Sequence, residues 1–172
     1  IWIKEKIFQK KLIFNNLKEL DKNFSSEDKI HFSDHHLSHA ASAFFPSKFR
    51  DAIVLTVDAV GEWATTSIYK GENNRLKKIK EIYFPDSIGL LYSAFTYFLG
   101  FRVNSGEYKL MGLAPYGNPI YKDLIYKNLI KIFPDQSFEL NQKYFNYATG
   151  LTMTNSNFDH LFGRKLRKES EV

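Results

Sequence analysis

An α/β fold is predicted for this 172-residue chain. The apolar, β-branched run "AIVLTVDA" at residues 52–59 reads as a buried strand. The helical stretch "DHHLSHAASAFF" precedes it, and a longer amphipathic helix, "SIGLLYSAFTYFL", follows. A short strand, a helix and a buried strand in that order make a plausible crossover unit.

Residues 1 to about 20 place Ile3, Ile7, Leu12, Ile13 and Leu17 among lysines at roughly helical spacing. "KIHF" is expected as a short strand, Ser33 or Asp34 as the cap of the next helix, and Pro46 as its end. "ATTSIYK", the turn "GENN" and "RLKKIKEIYF" form an antiparallel pair, although Leu76, Ile79 and Ile82 do not alternate cleanly. Ser87 caps a helix whose expected face is Ile88, Leu91, Tyr92, Phe95 and Leu99, and Gly100 stops it. "FRVNSGEYKLMGLAPYGNP" reads as a long loop. Asn118 and Pro119 open a helix running through Phe133, with Ile125, Leu129 and Ile132 as its stripe. "SFEL" and "KYFNY" read as short strands, residues 150–172 as loosely ordered, and no internal repeat is present.

Composition narrows the chemistry. With 44% hydrophobic, 16% aromatic and 25% charged residues, the chain suits one globular domain of ordinary size. No apolar run approaches the roughly 18 residues of a membrane span, and no leader pattern appears. Cysteine is absent, so any metal must be held by nitrogen and oxygen. The net charge of +5 is concentrated partly in "IKEKIFQKK" and "GRKLRK", runs that read as solvated faces without a nucleic-acid motif. A mildly basic protein also suits phosphate-bearing substrates.

Three of the five histidines crowd into "HHLSH". His35 and His39, four apart on a helix, can converge on one point. His36 is turned about 100° away from His35. The zinc-protease pattern requires glutamate where His36 stands. Asp58 ends the strand at 52–59, at the carboxyl edge where α/β folds place ligands. Two imidazoles and a carboxylate are the donor set of a divalent iron, manganese or zinc site. Spacing does not choose the metal, and partly buried helix polars are the plainer alternative for His35 and His39.

Gly61, Thr65 and Thr66 follow at a hairpin bend, where N–H groups and hydroxyls can cradle a phosphate. An ordinary hairpin with a packed Trp63 has the same sequence. No GxxxxGK[ST] motif exists, which excludes P-loop chemistry. Lys109, in "SGEYKLMGLAPYG", is a candidate point charge for phosphate or carboxylate, or else a solvated lysine.

"DHHLSHAASAFFPS", "AIVLTVDAVGEWATTSI" with "SIGLLYSAFTYFLGF", and "SGEYKLMGLAPYG" together resemble the amino-terminal domain of the O-carbamoyltransferases of NodU/CmcH type, in order, over about residues 30–118. The resemblance implies a partial actin-like (ASKHA) domain, the fold of actin, sugar kinases and Hsp70. Residues 1–50 would end its first half and carry the HxxxH helix, and 51–172 would begin the second. It implies that a separate carboxyl-terminal domain converts carbamoyl phosphate and ATP into carbamoyl-adenylate. The carbamoyl group then passes to a hydroxyl of a small-molecule or sugar acceptor. Carried over by position, Fe(2+) or another divalent metal would be held by His35, His39 and Asp58. Gly61, Thr65, Thr66 and Lys109 would approach the nucleotide, and His36 would act as base or support the ligands.

The implied setting is cytoplasmic, with no membrane and no nucleic acid as partner. The family usually reads Asp-Gly where this chain has Asp58-Ala59; a positive φ there would cost about 1 kcal/mol for alanine. A last ligand aspartate and the adenylate-forming domain find no match, so the segment alone is expected to be inactive. A tRNA threonylcarbamoyltransferase relative and a degenerate, non-catalytic metal-binding module are the alternative readings.

Overall fold

Leucine, lysine, glutamine and glutamate, eight of the twelve residues, favour helix in Gln9–Leu20 (α1). The computed structural model describes residues 7–168, so Ile3 of the expected stripe lies outside the described residues. No α1 residue is buried; Phe14 meets Phe24 at 5.8 Å between ring centroids. "KIHF" is not a strand. The Ser26 hydroxyl accepts from the Asp28 N–H and starts a 3-10 turn, Glu27–Lys29, which consumes the first residue of that run. These residues belong to one compact unit, Ile1–Asp34, and all that follows to a second, His35–Val172.

The second unit starts with α2, His35–Phe44, which ends two residues before Pro46. Three antiparallel strands follow in spatial order β1-β2-β3: Asp51–Gly61, Ala64–Glu72 and Arg75–Tyr83. Two-residue turns join them, with positive φ at Glu62 (63°) and Asn73 (52°). Ala59 has no positive φ, so its methyl group carries no backbone penalty.

Ala40 and Phe44 of α2 pack on Val54 and Tyr69 of the sheet. The expectation of a strand buried on both faces fails: Val54 and Thr56 are buried, whereas Ile53, Leu55 and Val57 are exposed. The face toward α2 is covered, while the face carrying Ile53, Leu55 and Val57 is open to solvent.

The pairing carries three irregularities. Residues 58–60 leave the β1–β2 ladder opposite Thr65. Thr65 is itself the extra residue of β2 against β3, and Ile79 is the extra residue of β3 against β2. Ile79 is why the apolar positions of β3 do not alternate.

Ser87 caps α3, Ile88–Phe98, by accepting from the Leu90 N–H at 3.0 Å, and Gly100 leaves the helix at φ 82°. Its buried stripe differs from the expected face. Ala94 and Phe98 are in the core with Leu91 and Phe95 beside them, while Ile88 and Tyr92 stay at the margin. The expected loop contains α4, Glu107–Leu113, and a 3-10 turn, Ala114–Tyr116.

The helix expected to reach Phe133 is shorter. α5 covers Lys122–Asn128, and Ile130–Ile132 (β4) pairs with Phe138–Leu140 (β5), because β-branched Ile130 and Ile132 find a strand partner in "SFEL". "KYFNY" gives a 3-10 turn, Gln142–Tyr144, with Phe145 bridging Thr154. Residues 150–168 are more ordered than expected. Asn155 caps α6, Ser156–Phe162, whose Phe158 is fully buried against Phe95 and Phe98. Asp86 ties this core to the start of α3 by accepting from the Leu140 N–H at 2.6 Å. Tyr147 donates to the Pro85 carbonyl at 2.9 Å, and burial pushes its phenol up to about 12. No helix among the described residues is long and apolar enough to cross a membrane.

Candidate metal centre

The i, i+4 spacing on α2 does what helix geometry requires: Nε2 of His39 lies 3.0 Å from Nε2 of His35. Asp58 meets them from β1. Its Oδ2 is 2.8 Å from His35 Nε2 and 3.3 Å from His39 Nε2. One donor atom from each of the three residues falls within 4.8 Å of the others. His35 and His39 are half-exposed at the side chain and Asp58 about one-third exposed, so the cluster is open to solvent on one side.

Asp58 is placed by the departure of residues 58–60 from the ladder. Ser87 fixes that stretch, donating its hydroxyl to the carbonyls of Asp58 (3.1 Å) and Ala59 (2.7 Å) while capping α3. Gly89 lets the first turn of α3 approach: a Cβ there would lie 2.6 Å from the Asp58 carbonyl oxygen. The irregularity also turns Gly61 toward α2. A Cβ on Gly61 would stand 2.6 Å from Cδ2 of both His35 and His36 and 2.8 Å from His36 Nε2. Gly61 is therefore the floor on which two histidine rings rest.

His36 is 2% exposed. Its Nδ1 lies 2.6 Å from the Ser67 hydroxyl and 3.0 Å from that of Thr56. Its Nε2 is buried without a hydrogen-bond partner, 3.8 Å from Asp58 Oδ2. Burial pushes the imidazole below its ordinary value, against the pull of Asp58; His35 and His39 push the same way as burial.

Thr56, Ser67 and Glu81 are directly paired across the three strands, forming one polar row beneath His36. Ser67 donates to Glu81 Oε1 at 3.1 Å, Tyr83 donates to Oε2 at 2.7 Å, and Lys78 pairs with Oε1 at 2.8 Å. Partial burial pushes the Glu81 carboxyl upward, but the donors Lys78, Tyr83 and Ser67 outweigh it and hold it below the ordinary range.

The other sequence candidates have different neighbours. Thr65 is fully buried, its hydroxyl donated to the carbonyls of Ile82 and Asp86. The Thr66 hydroxyl is buried without a hydrogen-bond partner. Lys109 is exposed on α4, a helix tied to α3 by Ser93 donating to Glu107 Oε1 at 2.9 Å. The structure thus gathers His35, His36, His39, Asp58 and Gly61 into one cluster, while Thr65 and Thr66 point their hydroxyls into the protein. Ser67, Glu81 and Ser87 escaped the sequence reading as site residues. Only strand register reveals the first two; the third gave a signal only as a helix cap.

The family model for the carbamoyltransferase N-terminus matches residues 1–171. The chain is 58% identical over 167 residues to the uncharacterized protein sll1178 of Synechocystis sp., covering 96% of this chain and 27% of that protein. It is 40% identical over 118 residues to nodulation protein NolNO of Sinorhizobium fredii, covering 66% of this chain and 17% of the relative. Nodulation protein NolO of Bradyrhizobium diazoefficiens is 35% identical over 86 residues, covering 50% of this chain and 16% of its own length. The chain therefore spans between about a sixth and about a quarter of these relatives.

Proposed function

This chain belongs to the carbamoyltransferase N-terminus family, and from that premise we propose that it contributes the group-transfer site of an O-carbamoyltransferase. In this reading carbamoyl-adenylate is made from carbamoyl phosphate and ATP by another domain of the natural chain, and the carbamoyl group passes here to a hydroxyl of a small-molecule or sugar acceptor. The segment is then part of an actin-like domain of a cytoplasmic enzyme.

The observation that carries the reading is the convergence of His35, His39 and Asp58 from α2 and β1 within 4.8 Å. Two imidazole nitrogens and one carboxylate oxygen, with an open side, fit Fe(2+) or another divalent cation that must leave room for substrate. Such an ion would supply Lewis acidity toward the carbamoyl carbonyl. The remaining work falls to the chain. Gly61 and Ser87 hold the ligand-bearing segments in register, and Lys109 offers a point charge to the nucleotide phosphate. His36 Nε2 accepts the proton of the acceptor hydroxyl as its oxygen bonds to the carbamoyl carbon and the adenylate phosphate departs.

The test is His39→Ala in the natural full-length protein. Elemental analysis should show loss of bound divalent metal, and carbamoyl transfer should fall below detection while carbamoyl-adenylate formation continues. Unchanged metal content would overturn the ligand assignment.

A further inference from the structure

Every link between His36 and the outer strand has room for one proton, and the direction of each can be assigned. Ionised Glu81 only accepts. Ser67, 3.1 Å from Oε1, must point its hydroxyl hydrogen there, since an oxygen lone pair facing a carboxylate at that distance is repulsive. That hydrogen is then unavailable to His36, 2.6 Å away on the other side of the same oxygen. The proton of the Ser67–His36 link has to come from Nδ1. Thr56 agrees: its hydroxyl lies 3.3 Å from the Ser67 carbonyl, to which it donates, and turns a lone pair toward Nδ1 at 3.0 Å. Nε2, buried and without a hydrogen-bond partner, faces Asp58 Oδ2 at 3.8 Å; at that separation the carboxylate attracts an Nε2 proton but is beyond hydrogen-bond reach, so its pull is weaker than the short contacts at Nδ1.

We infer that a Glu81–Ser67 relay holds His36 as its Nδ1–H tautomer, presenting the Nε2 lone pair to the His35–His39–Asp58 cluster, and that Glu81 is a positioning residue of this site. The inference deepens the carbamoyl-transfer reading and rests on it for its purpose, because a base must offer a lone pair to the acceptor hydroxyl. The hydrogen-bond assignment stands apart from that reading. Glu81 does not touch the metal-ligand triad; its hydrogen-bonded route to His36 runs through Ser67, across one cross-strand pair.

The tautomer can be read without substrate. The natural full-length chain is labelled with 15N-histidine, its His36 signals are identified by their loss in His36→Gln, and two-bond 1H–15N correlations distinguish the protonated nitrogen from the bare one. The expected result is protonated Nδ1 and bare Nε2 in the wild type. A protonated Nε2 there would overturn the inference, whatever the fate of carbamoyl transfer.

In Glu81→Leu the Ser67 hydrogen is free to turn to Nδ1. The tautomer ratio should then move about tenfold toward Nε2–H, the effect of losing one charge-assisted hydrogen bond. An unchanged ratio in a variant with wild-type circular dichroism would remove Glu81 from the relay. Should Glu81→Leu not fold, the wild-type spectrum alone decides the tautomer.

Discussion

Gly61→Ala tests the histidine floor directly. The new Cβ would stand 2.6 Å from Cδ2 of His35 and of His36, and 2.8 Å from His36 Nε2. Comfortable carbon contacts begin near 3.5 Å, so each ring has to retreat by about 1 Å. His36 has nowhere to go: its opposite edge is already 2.6 Å from Ser67 and 3.0 Å from Thr56. His35 is free to move outward, but only by giving up its 2.8 Å contact with Asp58.

Overpacking of this kind costs about 1–3 kcal/mol, which corresponds to roughly 5- to 150-fold if it falls on the ligand geometry. Titration of Zn(II) into the metal-stripped full-length protein should show that loss of affinity, and thermal melting should show a lowered Tm. Wild-type affinity and Tm together would refute the packing argument. A defect confined to nucleotide affinity would instead return Gly61 to the role of a phosphate cradle.

Glu62 occupies a left-handed position, φ 63°, in the turn between β1 and β2. Glu62→Gly should raise stability by about 0.5–1 kcal/mol in urea unfolding, the relief of backbone strain exceeding the added chain entropy; a loss of stability would show that the Glu62 side chain contributes a contact of its own. Glu107 gives a pH signature. Partial burial pushes its carboxyl upward, but the N–H groups of Asn104, Gly106 and Glu107 itself and the Ser93 hydroxyl outweigh this and lower it from 4.5. Its stabilisation is therefore fully present above that value and is lost as pH falls through the lower folded-state value. Glu107→Gln should cost stability at about pH 7 and cost progressively less below about pH 4, and a deficit that does not change with pH would refute this account.

The helix face shared by His35 and His39, and the aspartate at the strand end, were legible because i, i+4 spacing and strand-end placement are local rules. Gly61 was legible only as a residue permitting something; that the something is a pair of imidazole rings depends on α2 lying across β1. Ser67 and Glu81 are 31 and 45 positions from His36 in sequence, and nothing local marks them. The segment around Lys109 looked like loop because of its three glycines, yet the Glu107 carboxylate accepts from the Asn104 N–H at 3.0 Å and from Ser93, holding about two turns of helix. The buried-strand reading of 52–59 took apolar character for two covered faces, whereas α2 covers one.

The extra residue in β3 has a further effect on charge. Side chains in a strand alternate, so residues three apart ordinarily point to opposite sides of a sheet. Glu81 faces α2 as the partner of Ser67; Lys78 faces the same way, as the partner of Tyr69, only because Ile79 is inserted between them. One residue of added length thus reverses the parity of everything before it in the strand and delivers an ammonium group to within 2.8 Å of the partly buried carboxylate. Deleting Ile79 would leave the strand nearly as long and as well paired, yet send Lys78 through to the other side. The electrostatics beneath a histidine on α2 are set, in this protein, by counting residues on a strand two places away.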